Sequence, residues 1–138
     1  MSVLNCISKS LKKYSQDAAL VAMTSLTADL KYRIHNEGDK TVGAIGRYTN
    51  AWYMAQRRAR GLQIGYVDLQ FTGQLFRDLT YGQSQGDAVM GFITDRSYDL
   101  HDHLEKRYGR IWTPNKVERQ DTVERFKDEL YERLRNCR

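Results

Sequence analysis

One segment of the sequence carries the residue types that metal and acid–base chemistry use. His101, Asp102, His103 and Glu105 lie together in SYDLHDHLEKRY. A spacing of two residues places the histidines on different sides of a helix, so they cannot both bind one ion unaided. No cysteine lies nearby, and His35 is remote in the sequence. We therefore expect polar, exposed histidines here, and we predict neither a metal site nor a cofactor.

A glycine-rich stretch is the second candidate for chemistry. VGAIGRYTN contains Gly43 and Gly46 close to Lys40. A phosphate-binding loop would need a Gly-Lys-Ser/Thr ending between a strand and a helix, and this stretch has neither, so we predict a connecting loop. The sequence also lacks a serine nucleophile elbow, a defensible cysteine–histidine arrangement and paired acids in a glycine-rich pocket. Enzyme is therefore the least supported class of function, and we predict that the chain is not one.

Composition indicates one globular domain covering residues 1–138. Charged residues make up 28% of the chain and hydrophobic residues 41%, as in soluble proteins. The longest apolar run, AALVAM at 18–23, is too short to cross a bilayer, and the N-terminus does not resemble a secretion signal. We expect synthesis in a cytoplasm. Cys6 and Cys137 are expected to be free thiols, although the sequence leaves open whether they meet.

Positive charge is concentrated in one segment. The net charge is +5, and no acidic residue occurs between Asp39 and Asp68. A local positive stripe suits a polyanion or an acidic protein surface, and a solvated basic surface is an equal alternative. The basic residues of this segment are Lys40, Arg47, Arg57, Arg58 and Arg60.

The same segment contains a predicted short helix, AWYMAQRRAR, at 51–60, which Thr49 or Asn50 can cap. Aromatic residues interleaved with arginines can stack on bases and hold phosphates. The interpretation that we favour places Trp52 and Tyr48 in the core and directs the arginines to water or to acids of an adjacent subunit. The candidate contacts with DNA or with an acidic partner are Arg47, Arg57, Arg58 and Arg60.

The fold predicted to position these residues is α+β, and it begins with one long helix within 1–36. Its apolar seam recurs at alternating spacings of three and four residues, which is typical of an amphipathic helix. The interpretation that we favour packs this helix on the chain's own sheet. The alternative is that part of the seam meets a neighbouring subunit, because so long a stripe exceeds what a small sheet can cover. The seam consists of Leu4, Ile7, Leu11, Tyr14, Ala18 and Val21.

A basic loop and the short helix fill 37–60, and a small sheet is predicted over 61–96. Val67, Leu69 and Phe71 alternate with polar residues, which predicts a strand. QLFRDLTY and DAVMGFIT, joined by the loop GQSQGD, extend this to about three mostly antiparallel strands with a β-hairpin. The open edges of such a sheet can dock partners.

Two helices are predicted over 97–138. The first, Ser97 to Tyr108, ends at Gly109, and the second follows Pro114. Asn115 and Glu118 have the spacing of a capping box at its start.

The segment VDLQFTGQL, with a Tyr- and Arg-rich stretch before it and AVMGFIT after it, resembles tailed-phage virion proteins of the head-to-tail connector, neck and tail-completion group. The resemblance spans roughly residues 31 to 134. It implies a homo-oligomeric ring between portal or adaptor and tail proteins, assembled in the bacterial cytoplasm, located in the virion and passed by DNA without sequence recognition. It implies no catalytic residues and no membrane. Its candidate subunit interface is Leu4, Ile7, Leu11, Tyr14, Leu75, Leu79 and Tyr81.

A small basic nucleic-acid-binding protein is the alternative function. In that case AWYMAQRRAR would be the element that contacts the nucleic acid.

Overall fold

The computed structural model describes residues 2–137 and has an α+β architecture with one two-stranded antiparallel sheet. The predicted class, the long N-terminal helix and the two C-terminal helices are confirmed, whereas the sheet has two strands instead of three. In chain order the elements are α1 (Val3–Tyr32), a π-helical turn (Arg33–Glu37), α2 (Ala51–Ala59), α3 (Gln74–Asp78), β1 (Leu79–Ser84), β2 (Asp87–Phe92), α4 (Asp95–Tyr108) and α5 (Lys116–Arg135).

Helices α1 and α5 form an antiparallel pair. Their two ends are marked by the ion pair of Arg33 with Glu118 and by a disulfide between Cys6 and Cys137, whose Cα atoms are 6.0 Å apart. The expectation of free thiols is therefore wrong. The reason is tertiary, because antiparallel packing of the first and last helices brings together two residues that are 131 positions apart.

The predicted capping box starts α5. The Asn115 side chain accepts a hydrogen bond from the Glu118 backbone N–H at 2.8 Å, and the Glu118 carboxylate accepts one from the Asn115 N–H at 2.8 Å. Glu118 thus satisfies backbone donors that a helix start leaves unpaired, while its other oxygen binds Arg33.

The main core cluster is formed by residues that follow α1 in the chain. It consists of Ile34, Ile45, Val67, Leu75, Leu79, Ile111 and Trp112. In contrast, the buried residues of α1 begin only at Ala18. The N-terminal half of α1 therefore lies against the rest of the fold without contributing a fully buried side chain.

A strand over 66–71 was predicted, and this prediction is wrong. Two neighbouring residues, Val67 and Asp68, are both 1% exposed, which breaks the inside–outside alternation. Leu69 has a positive φ of 57° and interrupts the extended backbone. The segment is instead held by the preceding loop, where the Gly46 carbonyl accepts a hydrogen bond from the Val67 N–H at 2.8 Å.

The hairpin begins later than predicted. Residues 74–78 form the short helix α3, and β1 pairs with β2 from Leu79↔Phe92 to Ser84↔Asp87. Gln85 and Gly86 make the turn with φ of 51° and 88°, which is the backbone of a tight two-residue hairpin loop. At the other end of β1, the Asp78 carboxylate accepts hydrogen bonds of 2.6 Å from Ser97 and from Thr94, and these bonds hold the pKa of Asp78 below its usual value.

Candidate functional site

A buried arginine in α2 organises the region around the basic segment. Asn50 caps α2, its Oδ1 accepting a hydrogen bond from the Tyr53 N–H at 2.9 Å. The last turn of α2 then directs Arg57 inward, where it is 0% exposed. Its Nη2 lies 2.9 Å and 3.0 Å from the two carboxylate oxygens of Asp68, which is itself 1% exposed. The positive charge of Arg57 is therefore neutralised inside the fold.

The remaining donors of Arg57 are also occupied. Its Nε donates to the Gln63 carbonyl at 2.9 Å, and its Nη1 donates to the Gln70 carbonyl. The guanidinium lies over the Tyr48 ring, 4.4 Å from the ring centroid. Arg57 thus ties the loop after α2 to the segment at 68–70, in a dry setting where charge-assisted hydrogen bonds are strong.

The carboxylate of Asp68 is also occupied by hydrogen bonds from several groups. It accepts hydrogen bonds from the Tyr48 hydroxyl at 2.9 Å, the Gln63 side-chain amide at 2.7 Å and the Gln70 N–H at 3.1 Å. Burial, followed by the hydrogen bond to Asp68, raises the pKa of Tyr48 well above its usual value. The hydroxyl consequently remains a donor, and the Asp68 carboxylate has no solvent-facing lone pair with which to act on a substrate.

An open pocket of about 480 Å³ lies beside this network. It is bounded by the segment around 47–53, by residues 67–71 and by one face of α4. Arg47 and Arg107 are the charged residues of its wall, which contains no carboxylate. The aromatic part of the wall is formed by Tyr48, Trp52, Tyr53, Phe71 and Tyr108.

The composition of the pocket indicates the chemistry that it accepts. Aromatic and aliphatic walls remove apolar surface from water, while two arginines at an otherwise uncharged site favour an anion. Trp52 is 70% exposed and Leu100 40% exposed, so the apolar surface continues outside the pocket. Leu69, whose φ is positive, forms part of the wall. The arrangement suits an apolar or aromatic group that carries negative charge beside it.

The four predicted arginine contacts separate into two groups. Arg47, Arg58 and Arg60 are exposed, and the Arg60 guanidinium lies 4.2 Å from the Phe71 ring centroid. Arg57 is enclosed, so assigning it to a DNA or partner contact is corrected: Asp68 holds it inside. Lys40 also turns inward, donating to the Tyr108 carbonyl at 2.9 Å.

The predicted interface residues also divide into accessible and buried ones. Leu4 is 77%, Leu11 45% and Tyr81 40% exposed, and Ile7 and Tyr14 are half-buried. Leu75 and Leu79 are 6% and 2% exposed because they belong to the core. Their assignment to a subunit interface is therefore corrected.

The histidine segment forms no metal site in the structure. His101 Nδ1 lies 3.0 Å from Asp102 and its ring packs near Phe92 and Trp112, whereas His103 is exposed. Glu105 accepts hydrogen bonds from the backbone N–H groups of residues 111 and 112. Across residues 2–137, no three His, Cys, Asp or Glu side chains are grouped so that they could hold a metal ion.

Sequence reasoning did not find Asp68 or Arg107. Asp68 is the first acidic residue after the acid-free segment that contains Arg57, and this was the one local signal for a buried ion pair. Nothing in the local sequence of α4 indicates that Arg107 faces residues 47–53, since only the packing of α4 creates that proximity.

No protein-family model matches the sequence, and comparisons with curated proteins and with solved structures give no significant match. Within residues 2–137, none of the helices has both the length and the apolar character required to span a bilayer.

Proposed function

We propose that this chain is a structural virion protein of a tailed phage, a ring subunit of the neck or tail-completion region through which DNA passes. The observation that carries the proposal is the apolar surface. In residues 2–137, more large apolar side chains are exposed than are buried. Subunits of an assembly cover exposed apolar side chains with their neighbours, so this excess of exposed over buried residues supports an assembly role.

Two parts of the fold offer such surface. The N-terminal half of α1 presents Val3, Leu4 and Leu11 to solvent. In the described part of the chain, β1 and β2 pair only with each other, so neither outer edge of the hairpin has a strand partner. Because these are different surfaces of one subunit, contacts between them would be heterologous, and heterologous contacts form a ring when the rotation between subunits closes.

The disulfide is compatible with a virion. Disulfides form and persist outside a reducing cytoplasm. A chain that is made in the host cytoplasm and leaves the cell in a particle would meet oxidising conditions after release. In this proposal the protein has no catalytic role and no cofactor, and its partners are portal or adaptor and tail proteins, with DNA passing nearby.

The proposal is tested with the purified chain and with the phage genome that encodes it. Sedimentation velocity and negative-stain electron microscopy should show closed rings with a central channel. Deleting the gene should yield DNA-filled heads and separate tails, and expression from a plasmid should restore joined particles. A chain that stays monomeric at high concentration, together with normal particles after deletion, would overturn the proposal.

Nucleic-acid binding is the second candidate, and the pocket wall with its aromatic residues and two arginines is the observation that favours it. The inward positions of Arg57 and Lys40 reduce the positive charge that the basic segment presents to phosphates. Titration with duplex and single-stranded DNA across a range of salt concentrations separates the two functions. Tight binding that falls steeply with salt, without rings, would favour the second.

A further inference from the structure

The outer face of α5 carries an acidic stripe. Asp121, Glu124 and Asp128 recur at spacings of three and four residues, so they share one face of the helix, and all three are exposed. Val117 and Tyr131 extend the stripe at its two ends and are 62% and 61% exposed. The opposite face of α5 packs on α1, so the stripe points away from the fold.

The acids of the stripe differ from the other acids of α5. Glu118, Glu129 and Glu132 each form an ion pair with an arginine of this chain. Within residues 2–137, Asp121, Glu124 and Asp128 form none. Among the described residues, exposed Arg125 and Lys127 flank the three acids without forming an ion pair with them, and the acids themselves, at spacings of three and four residues, repel one another. A surface of opposite charge would relieve that repulsion.

The pocket beside α2, defined above, has the complementary composition. Its charged wall residues, Arg47 and Arg107, are both exposed and form no ion pair within the described chain. Its wall is otherwise aromatic, aliphatic or uncharged. A partner that places carboxylates against the arginines and an apolar or aromatic side chain against the rings would fit it.

We infer that the pocket of one copy receives the acidic stripe of α5 from a second copy, with Tyr131 against the aromatic wall and the carboxylates against Arg47 and Arg107. This inference rests on the proposed ring function and deepens it by naming the two surfaces that meet. Because the pocket and the stripe are different surfaces, the contact is head-to-tail, and each subunit uses both.

A charge-exchange experiment tests the pairing. The pocket variant carries Arg47→Glu and Arg107→Glu, and the stripe variant carries Asp121→Lys and Glu124→Lys. Each alone opposes like charges and should weaken self-association by at least about tenfold. In an equimolar mixture, the altered pocket meets the altered stripe and the native pocket meets the native stripe, so association should return in sedimentation velocity.

Two further variants sharpen the test. Lys106→Glu with Arg119→Glu matches the charge change of the pocket variant at exposed positions outside both surfaces, and it should associate like the unaltered chain. Tyr131→Ala changes no charge and should weaken association while leaving its salt dependence unchanged. Circular dichroism verifies that every variant is folded.

The outcomes distinguish this inference from the proposed function. Rings that form normally in both charge variants, or a mixture that stays dissociated while each variant is folded, would overturn the pairing and leave the ring proposal standing. An unaltered chain that never associates would overturn both. Loss of DNA binding in the pocket variant, with association unchanged, would assign the pocket to nucleic acid and also reject the pairing.

Discussion

The two ends of the α1–α5 pair are stabilised by different chemistry. At the end next to the core, Arg33 and Glu118 are 2.7 Å apart and their side chains are 5% and 9% exposed. At the distal end, Arg133 and Asp17 are 3.3 Å apart with side chains about one-third exposed, at 32% and 35%, and the disulfide lies beyond them.

The difference follows from the position of the core. Where apolar residues exclude water, ions must be paired, and breaking one pair is costly. Arg57 and Asp68 form a second buried ion pair. Where the core is absent, ion pairs are screened by water, and a covalent bond stabilises the pair of helices by restricting the unfolded chain.

Asp68→Ala should have the largest effect. It leaves the Arg57 charge buried without a partner, which typically costs about 3–5 kcal/mol in the free energy of unfolding. Urea denaturation measures this value. The control is Arg58→Ala, because Arg58 lies next to Arg57 in the sequence but is exposed. This substitution should change stability by less than about 0.5 kcal/mol. Equal effects of the two substitutions would show that the Arg57 ion pair is not enclosed.

Removal of the disulfide should rank second. Cys6→Ser with Cys137→Ser should lower the free energy of unfolding by about 2–4 kcal/mol, because the unfolded chain loses a long closed loop. The unaltered protein should lose the same amount on addition of a reductant, as measured by urea denaturation. The double variant itself should not respond to the reductant. A reductant effect on that variant would mean that something other than this bond was measured.

Tyr48→Phe, which alters the hydrogen bonds around the buried Arg57–Asp68 pair, should have a smaller effect than Asp68→Ala. It deletes the hydroxyl that donates to Asp68, and we expect a loss of about 1–2 kcal/mol because the acceptor is charged while the ring is only half-buried.

The raised pKa of Tyr48 also predicts an alkaline limit. A group whose pKa is raised by folding contributes stability below its unfolded pKa of about 10, and this contribution is lost as pH rises through the folded value. The unaltered protein should therefore lose more stability than Tyr48→Phe as pH rises above about 10. Denaturation at several alkaline pH values, with tyrosine absorbance titration, provides the measurement. Parallel pH curves for both proteins would contradict the assignment.

Arg133→Ala should have the smallest effect. Its pairs with Asp17 and Glu129 are partly exposed, so we expect a loss of about 0.2–1 kcal/mol, which salt should diminish. Thermal denaturation at low and high ionic strength is sufficient to measure it. A loss as large as that of Asp68→Ala would erase the distinction between buried and partly exposed ion pairs.

Local sequence patterns determined most of the helical framework. Local signals were sufficient to predict α1, α2, α4 and α5 with bounds close to those observed. These signals include the amphipathic seam of α1, the absence of glycine and proline from residues 3–34, and the caps at Asn50 and Asn115. These signals act over one or two helical turns, so they can be read without knowing the fold. The strand β2 was likewise evident from DAVMGFIT.

Only the tertiary structure decided which polar residues lie inside. Arg57 and Arg58 are adjacent and of one type, yet the first is buried because Asp68, eleven positions away, lies opposite it. The disulfide and the pocket also depend on residues that are distant in the sequence. The fold brings Cys6 to Cys137, and it places Arg47 and Arg107 in one pocket wall. The periodicity at 66–71 misled because it assumes that buried residues are apolar, and a buried carboxylate breaks that assumption. Pairing of charges and thiols depends on distances in space, and the local sequence contains no record of those distances.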